Sequence, residues 1–210
     1  MRPANHPIFA RVYARVAQAS ERRGGAEHRR KLLAGLSGRV VELGAGSGAN
    51  FAHYPAAVSE VLAVEPEPYL RQRAQLAAAT AAIDIKVVAG SADLLPGEEV
   101  SFDAGVAALV LCTVPSQQRA LAELFRVIRP AGELRFYEHV VSHSRREARF
   151  QRIADATLWP RLSGGCHLAR DTAAAIERAG FTIEACERFP FSPTPWLPAD
   201  PHILGTARRP

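Results

Sequence analysis

Strand-like apolar runs alternate with helix-patterned segments through the middle of this chain, and that succession restricts the fold more than any other feature. The runs fall at residues 40–43, 61–64, 85–89, 102–110 and 134–138. Between several of them the composition turns helical. Residues 66–82 are rich in Ala, Leu, Gln and Arg, and Ser116 is placed to cap a helix whose Leu121, Leu124, Phe125 and Ile128 share one face, ended by Pro130 and Gly132. Strand, helix, strand in regular order specifies a parallel sheet with helices on both faces.

The last third departs from this order. Helical stretches near residues 145–158 and 170–179 precede strand-like runs at 181–189 and 202–207, which are joined by the proline-rich loop PFSPTPWLPADP and no helix. Two strands without a crossover helix pair most simply as antiparallel neighbours. The expected architecture is therefore α/β: a doubly wound, Rossmann-like, seven-stranded, mostly parallel sheet closed by a C-terminal antiparallel hairpin. Ahead of it, residues 7–22 read as an amphipathic helix, with Ile8, Phe9, Val12, Tyr13 and Val16 on one face and Arg11, Arg15 and Gln18 on the other. Gly24-Gly25 breaks it, and a second helix follows at 26–33. The expected division is an N-terminal helical cap, residues 1–35, and a main domain, residues 36–210. The first helix either packs as part of that cap or makes weak contact with a membrane surface through its arginines and apolar face.

Composition excludes several classes. At 210 residues, 48% hydrophobic and 22% charged, the chain is of ordinary globular type. The net charge of +5 comes from dispersed arginines, with Lys31 and Lys86 the only lysines, so no basic patch points to nucleic acid. Cys112, Cys166 and Cys186 are odd in number and widely spaced, which fits neither a disulfide framework nor a metal knuckle and suits a reducing cytoplasm. No export signal and no run of 18 apolar residues is expected to place the chain in or across a membrane.

The chemistry concentrates at VVELGAGSGANF, residues 40–51. Gly44, Ala45, Gly46 and Gly48 follow the first strand, where the strand-to-helix turn of a doubly wound sheet seats cofactors, and glycine lets backbone N–H groups approach a ligand closely. Glu65, followed by Pro66, ends the second strand about twenty residues on, where a carboxylate can take both hydroxyls of a ribose. Gly44, Gly46 and Ala49 also satisfy a dinucleotide pattern. Glu42, two residues before Gly44, is awkward beside a pyrophosphate and useful near a positively charged ligand. Ala92 and Asp93, after the third strand, can meet an adenine amine. Asn50 stands either beside the ligand or as the cap of the next helix.

These residues, with FDAGVAALVLCTV and LFRVIRPAGELRFYEHV, resemble the class I S-adenosylmethionine-dependent methyltransferases. LVLCTVPSQQRALAE, DATLWPRLSGGCHLARDT and PWLPADPHILG look closest to the small thiol S-methyltransferase branch, and the resemblance covers about residues 38–207. It implies that the loop of Gly44 to Gly48 wraps the methionine end of S-adenosylmethionine, that Glu65 holds the ribose, that Asp93 lies by the adenine, and that Ala107 and Leu109 border the cofactor. The mammalian members of that branch begin with a hydrophobic segment that MRPANHPIFARVYARV does not match. Methyltransferases acting on nucleic-acid amines carry an Asn/Asp-Pro-Pro-aromatic stretch after the fourth strand. Here Ala107-Ala108-Leu109-Val110 has no such feature, so a small-molecule acceptor is expected, without nucleic acid and without a metal.

On the acceptor side the catalytic candidates are Glu138 and His139, at the end of the fifth strand; the alternatives are a buried acid tied to backbone N–H groups for Glu138 and a structural histidine hydrogen-bonded to its neighbours for His139. Cys166-His167 looks like a nucleophile pair, but methyl transfer needs no protein nucleophile. Trp159, Phe189, Phe191 and Trp196 are candidates for an apolar pocket. A thiol acceptor is favoured, with a phospholipid amine or a quinone or phenol as alternatives; outside the class stand an NAD-dependent oxidoreductase and a non-catalytic binding protein.

Overall fold

The computed structural model describes residues 7–195 and 198–210. The side chains of Ile8, Phe9 and Tyr13, and Trp196 altogether, lie outside what is described. One sheet holds seven strands: β1 (Gly38–Leu43), β2 (Val58–Val64), β3 (Ile85–Val88), β4 (Phe102–Ala108), β5 (Ile128–His139), β6 (Thr182–Phe191) and β7 (Asp200–Arg208). Their order is β3-β2-β1-β4-β5-β7-β6. The first five run parallel, and β7 lies antiparallel to both β5 and β6. The expected hairpin thus docks by its second strand, and β6 ends up at the sheet edge.

Helices cover both faces because the buried strands present apolar side chains to each. One face packs Val41, Leu43, Leu134 and Phe136 against α4 (Gln117–Val127) and α7 (Thr172–Arg178), through Leu121, Leu124 and Ile176. The other packs Val40, Val61 and Tyr137 with Leu32 and Leu33 of α2 (Ala26–Leu33). Burial of each large aliphatic side chain contributes about 1.5–3 kcal/mol. Ser116 caps α4, its side chain accepting from the Arg119 N–H at 3.2 Å. α4 then passes straight into β5. Pro130, expected to stand beyond the helix end, falls in an irregularity where the register jumps from Phe102↔Ile128 to Ala104↔Glu133; such a bulge tolerates a residue that cannot donate to the ladder.

The N-terminal segment differs from its sequence reading in one respect. α1 (Pro7–Ser20) buries Ala10 and Ala14 against Leu70 and Tyr69 of α3 (Pro68–Ala78), whereas Val12 is 51% exposed. The small side chains, four residues apart, let the helices approach; of the expected apolar face only Val12 and Val16 have described side chains. A π-helical turn, Glu21–Gly25, links α1 to α2; Gly24 there has φ 116°, at the break the glycine pair signals. α5 (Arg145–Asp155) and α6 (Trp159–Leu162) lie between β5 and α7 in the chain.

Candidate active site

The glycine loop leaves β1 in a path that only glycine can follow. Gly44 has φ 67°, and a Cβ there would lie 2.3 Å from Val110 Cγ2, so its backbone sits directly on the chain leaving β4. The N–H groups of Gly44 and Ala45 donate to the Val64 carbonyl at 2.9 and 3.1 Å. The next amide, Gly46, donates to Glu65 Oε2 at 2.8 Å, while Glu65 Oε1 accepts from the Glu67 N–H at 2.9 Å. Gly48 also has positive φ, at 82°. Burial pushes the Glu65 carboxyl up to about 7 against the pull of those two amides. Arg71 fixes the turn from outside, donating to the carbonyls of Glu65 and Pro66.

Glu42 is buried on the wall of the cavity at the glycine loop, with both its oxygens engaged within the chain. Its Oε1 accepts from Asn50 Nδ2 at 2.9 Å and its Oε2 from the Tyr54 hydroxyl at 2.6 Å. Burial raises its pKa to about 7, with the Tyr54 and Asn50 hydrogen bonds and the Arg29 charge opposing the rise. Asn50 caps no helix: the short 3₁₀ turn at Phe51–His53 has no side-chain cap bond. Its Oδ1 instead accepts from Arg29 at 2.7 Å, and Arg29 Nε donates to Glu21 at 2.7 Å. Arg29, Glu21 and Tyr54 were absent from the sequence candidates, since nothing in a helical pattern distinguishes one arginine from its neighbours. A small, partly open cavity lies at this point, lined by Ala17, Arg29, Glu42, Gly44, Gly46 and Ala108 among others.

Ala92 and Asp93 occupy a tight turn closed by the Ser91↔Leu94 bridge, and Asp93 Oδ1 is buried with no hydrogen-bond partner among the described residues. Beyond β4 the chain kinks at Leu109, whose φ of 57° is unusual for a side-chain-bearing residue and is held by a 2.7 Å bond from its N–H to the Tyr137 carbonyl. Ala107 is fully buried in the core cluster that faces α4. Since successive strand residues point to opposite faces, Ala108, one position on, reaches the cavity instead.

Glu138 and His139, adjacent in sequence, are separated by the same alternation. Glu138 is fully buried and accepts the N–H groups of Val110, Leu111 and Cys112 at 3.0, 2.8 and 3.1 Å. Burial pushes its pKa up and those amides oppose the rise. It anchors the loop after β4. His139 points to the other face. It is 6% exposed, and neither ring nitrogen has a hydrogen-bond partner among the described residues. Burial, with the neighbouring His202, lowers its pKa to about 4, so the imidazole is neutral. Its ring meets that of His202 edge-on at 5.4 Å. Phe191, Phe189, Tyr137 and His28 complete the aromatic cluster, with His28 reaching in from α2 to 4.4 Å from the Phe189 ring centroid and 3.2 Å from the Tyr137 hydroxyl.

Of the expected pocket aromatics, Phe189 and Phe191 therefore come together, and Trp159 makes no ring contact with them among the described residues. Cys166 and His167 lie against the loop after β4, where the His167 N–H donates to the Cys112 carbonyl at 2.9 Å. His167 stands 3.8 Å from Asp155, whose carboxylate holds the Leu168 and Ala169 amides. His28 and His202 were missed because only the fold brings them to His139. Among the described residues no group of three or more His, Cys, Asp or Glu could hold a metal ion.

Comparison with known proteins agrees with this geometry. Residues 41–136 match a methyltransferase domain family. The chain is 39% identical over 182 residues to the thiol S-methyltransferase TMT1B of Mus musculus, covering 84% of this chain and 74% of that protein. It is 34% identical over 181 residues to the thiol S-methyltransferase TMT1A of Homo sapiens, covering 83% and 73%. A solved SAM-dependent methyltransferase from Thermotoga maritima shares the fold, with a TM-score of 0.72 at 20% identity over 97% of this chain and 98% of that one. The bare loop at Gly44, the carboxylate of Glu65 behind it and these likenesses together make the chain a member of the class I S-adenosylmethionine-dependent methyltransferase family, in the branch that holds the thiol S-methyltransferases.

Proposed function

We propose that this methyltransferase moves a methyl group to an apolar small-molecule thiol held against the aromatic cluster of Phe189, Phe191 and His202, with His139 receiving the thiol proton. The observation that carries this reading is His139 itself: a buried, neutral imidazole with both nitrogens unpartnered at the carboxyl end of β5. Apolar walls without a fixed charge favour an uncharged acceptor, and the relatives named above are thiol S-methyltransferases.

The residues present fit S-adenosylmethionine. Asp93 Oδ1 lacks a partner and can accept from the adenine amine, with Ala92 beside it. Glu65 keeps unshared lone pairs for the ribose hydroxyls, next to Pro66. Gly44, Ala45, Gly46 and Gly48 offer backbone to the amino-acid end, and Leu109 borders the methyl-transfer position. When bound, S-adenosylmethionine supplies a methyl group made electrophilic by its sulfonium, with a thioether as the leaving group. The protein's work is then alignment and exclusion of water, which in well-oriented systems supplies about 7–11 kcal/mol. A thiol with a pKa of about 8.5 becomes a far stronger acid as its sulfur shares its electron pair with carbon, so even a weakly basic imidazole suffices to take the proton.

In this reading the N-terminal helices, within residues 7–35, form a cap over the cofactor side; residues 1–6 lie outside the described residues. Among the described residues no helix is long and apolar enough to cross a membrane. The three cysteines are free, which supports a reducing, cytoplasmic setting. Incubation with labelled S-adenosylmethionine and a panel of thiols, phenols and amines tests the acceptor: transfer to apolar thiols is expected, and failure with every thiol overturns the reading. His139→Phe should lower kcat on thiols by roughly a hundredfold while leaving the affinity for S-adenosylhomocysteine unchanged.

A further inference from the structure

Cys166, half of the Cys-His pair that methyl transfer leaves unused, lies against a second cysteine far from it in sequence. The turn before it is built from Gly164 and Gly165, with φ of 65° and 94°, and a Cβ on Gly165 would stand 3.1 Å from the Thr113 carbonyl oxygen. That close approach lays the turn on the loop after β4. The His167 N–H donates to the Cys112 carbonyl and the Arg170 guanidinium to the Leu111 carbonyl, so the two segments are pinned together at neighbouring residues. The sulfurs of Cys112 and Cys166 come within hydrogen-bonding reach of each other. Both thiols are free. Cys112 is 3% exposed, with its amide held by Glu138 at 3.1 Å, whereas Cys166 is only half-buried. One sulfur has access to solvent and the other has almost none.

We propose that Cys112 and Cys166 form a dithiol that small-molecule disulfides convert to an intramolecular bridge. The Cys166 thiolate attacks one sulfur of a disulfide R–S–S–R, whose S–S bond breaks; the first R–S⁻ departs and takes up the proton that Cys166 gave. The Cys112 sulfur then attacks Cys166 in the mixed disulfide, and its proton goes to the second R–S⁻ as that leaves. Two protein thiols are oxidised, and one external disulfide is reduced to two thiols. The hydrogen bond to Cys166 and burial hold the Cys112 thiol well above its ordinary pKa, and the first of these causes disappears once Cys166 is capped. The Arg170 charge acts on both sulfurs and favours the anionic sulfur through which exchange passes. Intracellular disulfides of this transient kind serve as redox sensors. Here the bridge ties the loop that carries Val110, on which Gly44 packs, to the segment leading into α7.

Titration of Cys186→Ser protein with the disulfide 4,4′-dithiodipyridine, followed by the absorbance of released thiopyridone, tests it, because the exposed Cys186 is then out of the count. This protein should release a first equivalent and then a second without further reagent, and peptide mapping should find Cys112 joined to Cys166 within one chain. Adding Cys112→Ala should stop the reaction at one equivalent, with the reagent kept as a stable mixed disulfide on Cys166. Adding Cys166→Ser instead should suppress release almost entirely, since the remaining sulfur is shielded. A Cys186→Ser protein that releases one equivalent and retains the adduct overturns the proposal. So do disulfide-linked dimers in place of the internal bridge. Rapid release from the Cys166→Ser protein overturns it as well, since Cys112 is then reached directly. Should either added substitution prevent folding, the stoichiometry and peptide map of Cys186→Ser protein decide alone.

Discussion

Glu65 holds the Gly46 amide at 2.8 Å, so a single carboxylate at the end of β2 fixes the turn that leaves β1. Its second oxygen is tied to the Glu67 N–H. Glu65→Ala removes both the anchor of the loop and an acceptor for the ribose. S-adenosylhomocysteine affinity is expected to fall roughly 10–100-fold, the worth of one or two hydrogen bonds to a charged group. Calorimetry reads this directly, and an unchanged affinity would remove Glu65 from the site.

The same carboxyl makes binding pH-dependent. With its pKa raised to about 7, Glu65 is ionised and fully accepting above pH 8 and gains a proton as the pH drops through 7. Affinity for S-adenosylhomocysteine should therefore be flat above pH 8 and decline toward pH 5.5. The unliganded protein responds with the opposite sign. Between the unfolded value of 4.5 and the folded value of about 7, the native state binds the extra proton, so this group adds stability as the pH falls across that window. In Glu65→Gln the Glu65 contribution to both slopes should vanish; a slope unchanged in that variant would assign it to Glu42, which titrates in the same range.

His139 and His202 act in the reverse direction on stability. Each has a pKa lowered from 6.5 to about 4 by burial. In the unfolded chain they gain protons below pH 6.5, while the folded state keeps them neutral to about pH 4. Their contribution is whole above 6.5 and is lost as the pH drops from 6.5 through 4. At about 1.36 kcal/mol per pH unit, one such site is worth on the order of 3 kcal/mol at the acid limit. Urea unfolding of His202→Phe at pH 7.5 and at pH 5 should show a variant penalised less, relative to the parent, at the lower pH. An equal difference at both would mean that the ring is protonated in the native protein.

Glu138 serves as a brace. In Glu138→Gln the amide group presents its own hydrogens to at least one of the three N–H donors it now receives from Val110, Leu111 and Cys112. A buried unsatisfied donor costs about 1–3 kcal/mol, a fall of several degrees in melting temperature for a chain of this length. The pH profile of turnover should keep its shape. A profile that loses a limb in this variant would instead give Glu138 a place in proton transfer.

Gly44→Ala combines a left-handed backbone with a Cβ 2.3 Å from Val110. The loop has to move, and S-adenosylhomocysteine binding is expected to be lost. Pairing it with Val110→Gly should return part of that binding, since both the 2.3 Å contact with Cγ2 and the 2.9 Å contact with Cβ are then removed while the backbone cost of about 1–2 kcal/mol remains. If the double variant binds no better than the single one, the contact with Val110 is not what the glycine accommodates.

Much of this was legible because it is local in sequence. The glycine loop and the acid at 65 belong to one βαβ unit, and the spacing of apolar runs carries the sheet. The hidden parts are long-range. Nothing in helix 26–33 singles out Arg29 as the partner of Asn50, or His28 as the neighbour of Tyr137, until β5 and the loop after β1 are brought beneath α2. Alternation along β5 separates Glu138 from His139, a distinction that needs the knowledge of which face carries which partner. Along α1 the helical periodicity does not single out Ala10 and Ala14, whose small size suits close approach to α3.

The placement of β7 also fixes an order of events during synthesis. β6 leaves the ribosome before β7, yet β7 is its sole neighbour in the sheet and stands between it and β5. Residues 182–191 therefore have no place in the sheet until residues 200–208 slot in beside β5. Until they do, Phe189 and Phe191 have no His202 to close over them, so the end of the molecule assigned to the acceptor is completed only by the strand that enters the sheet between its neighbours.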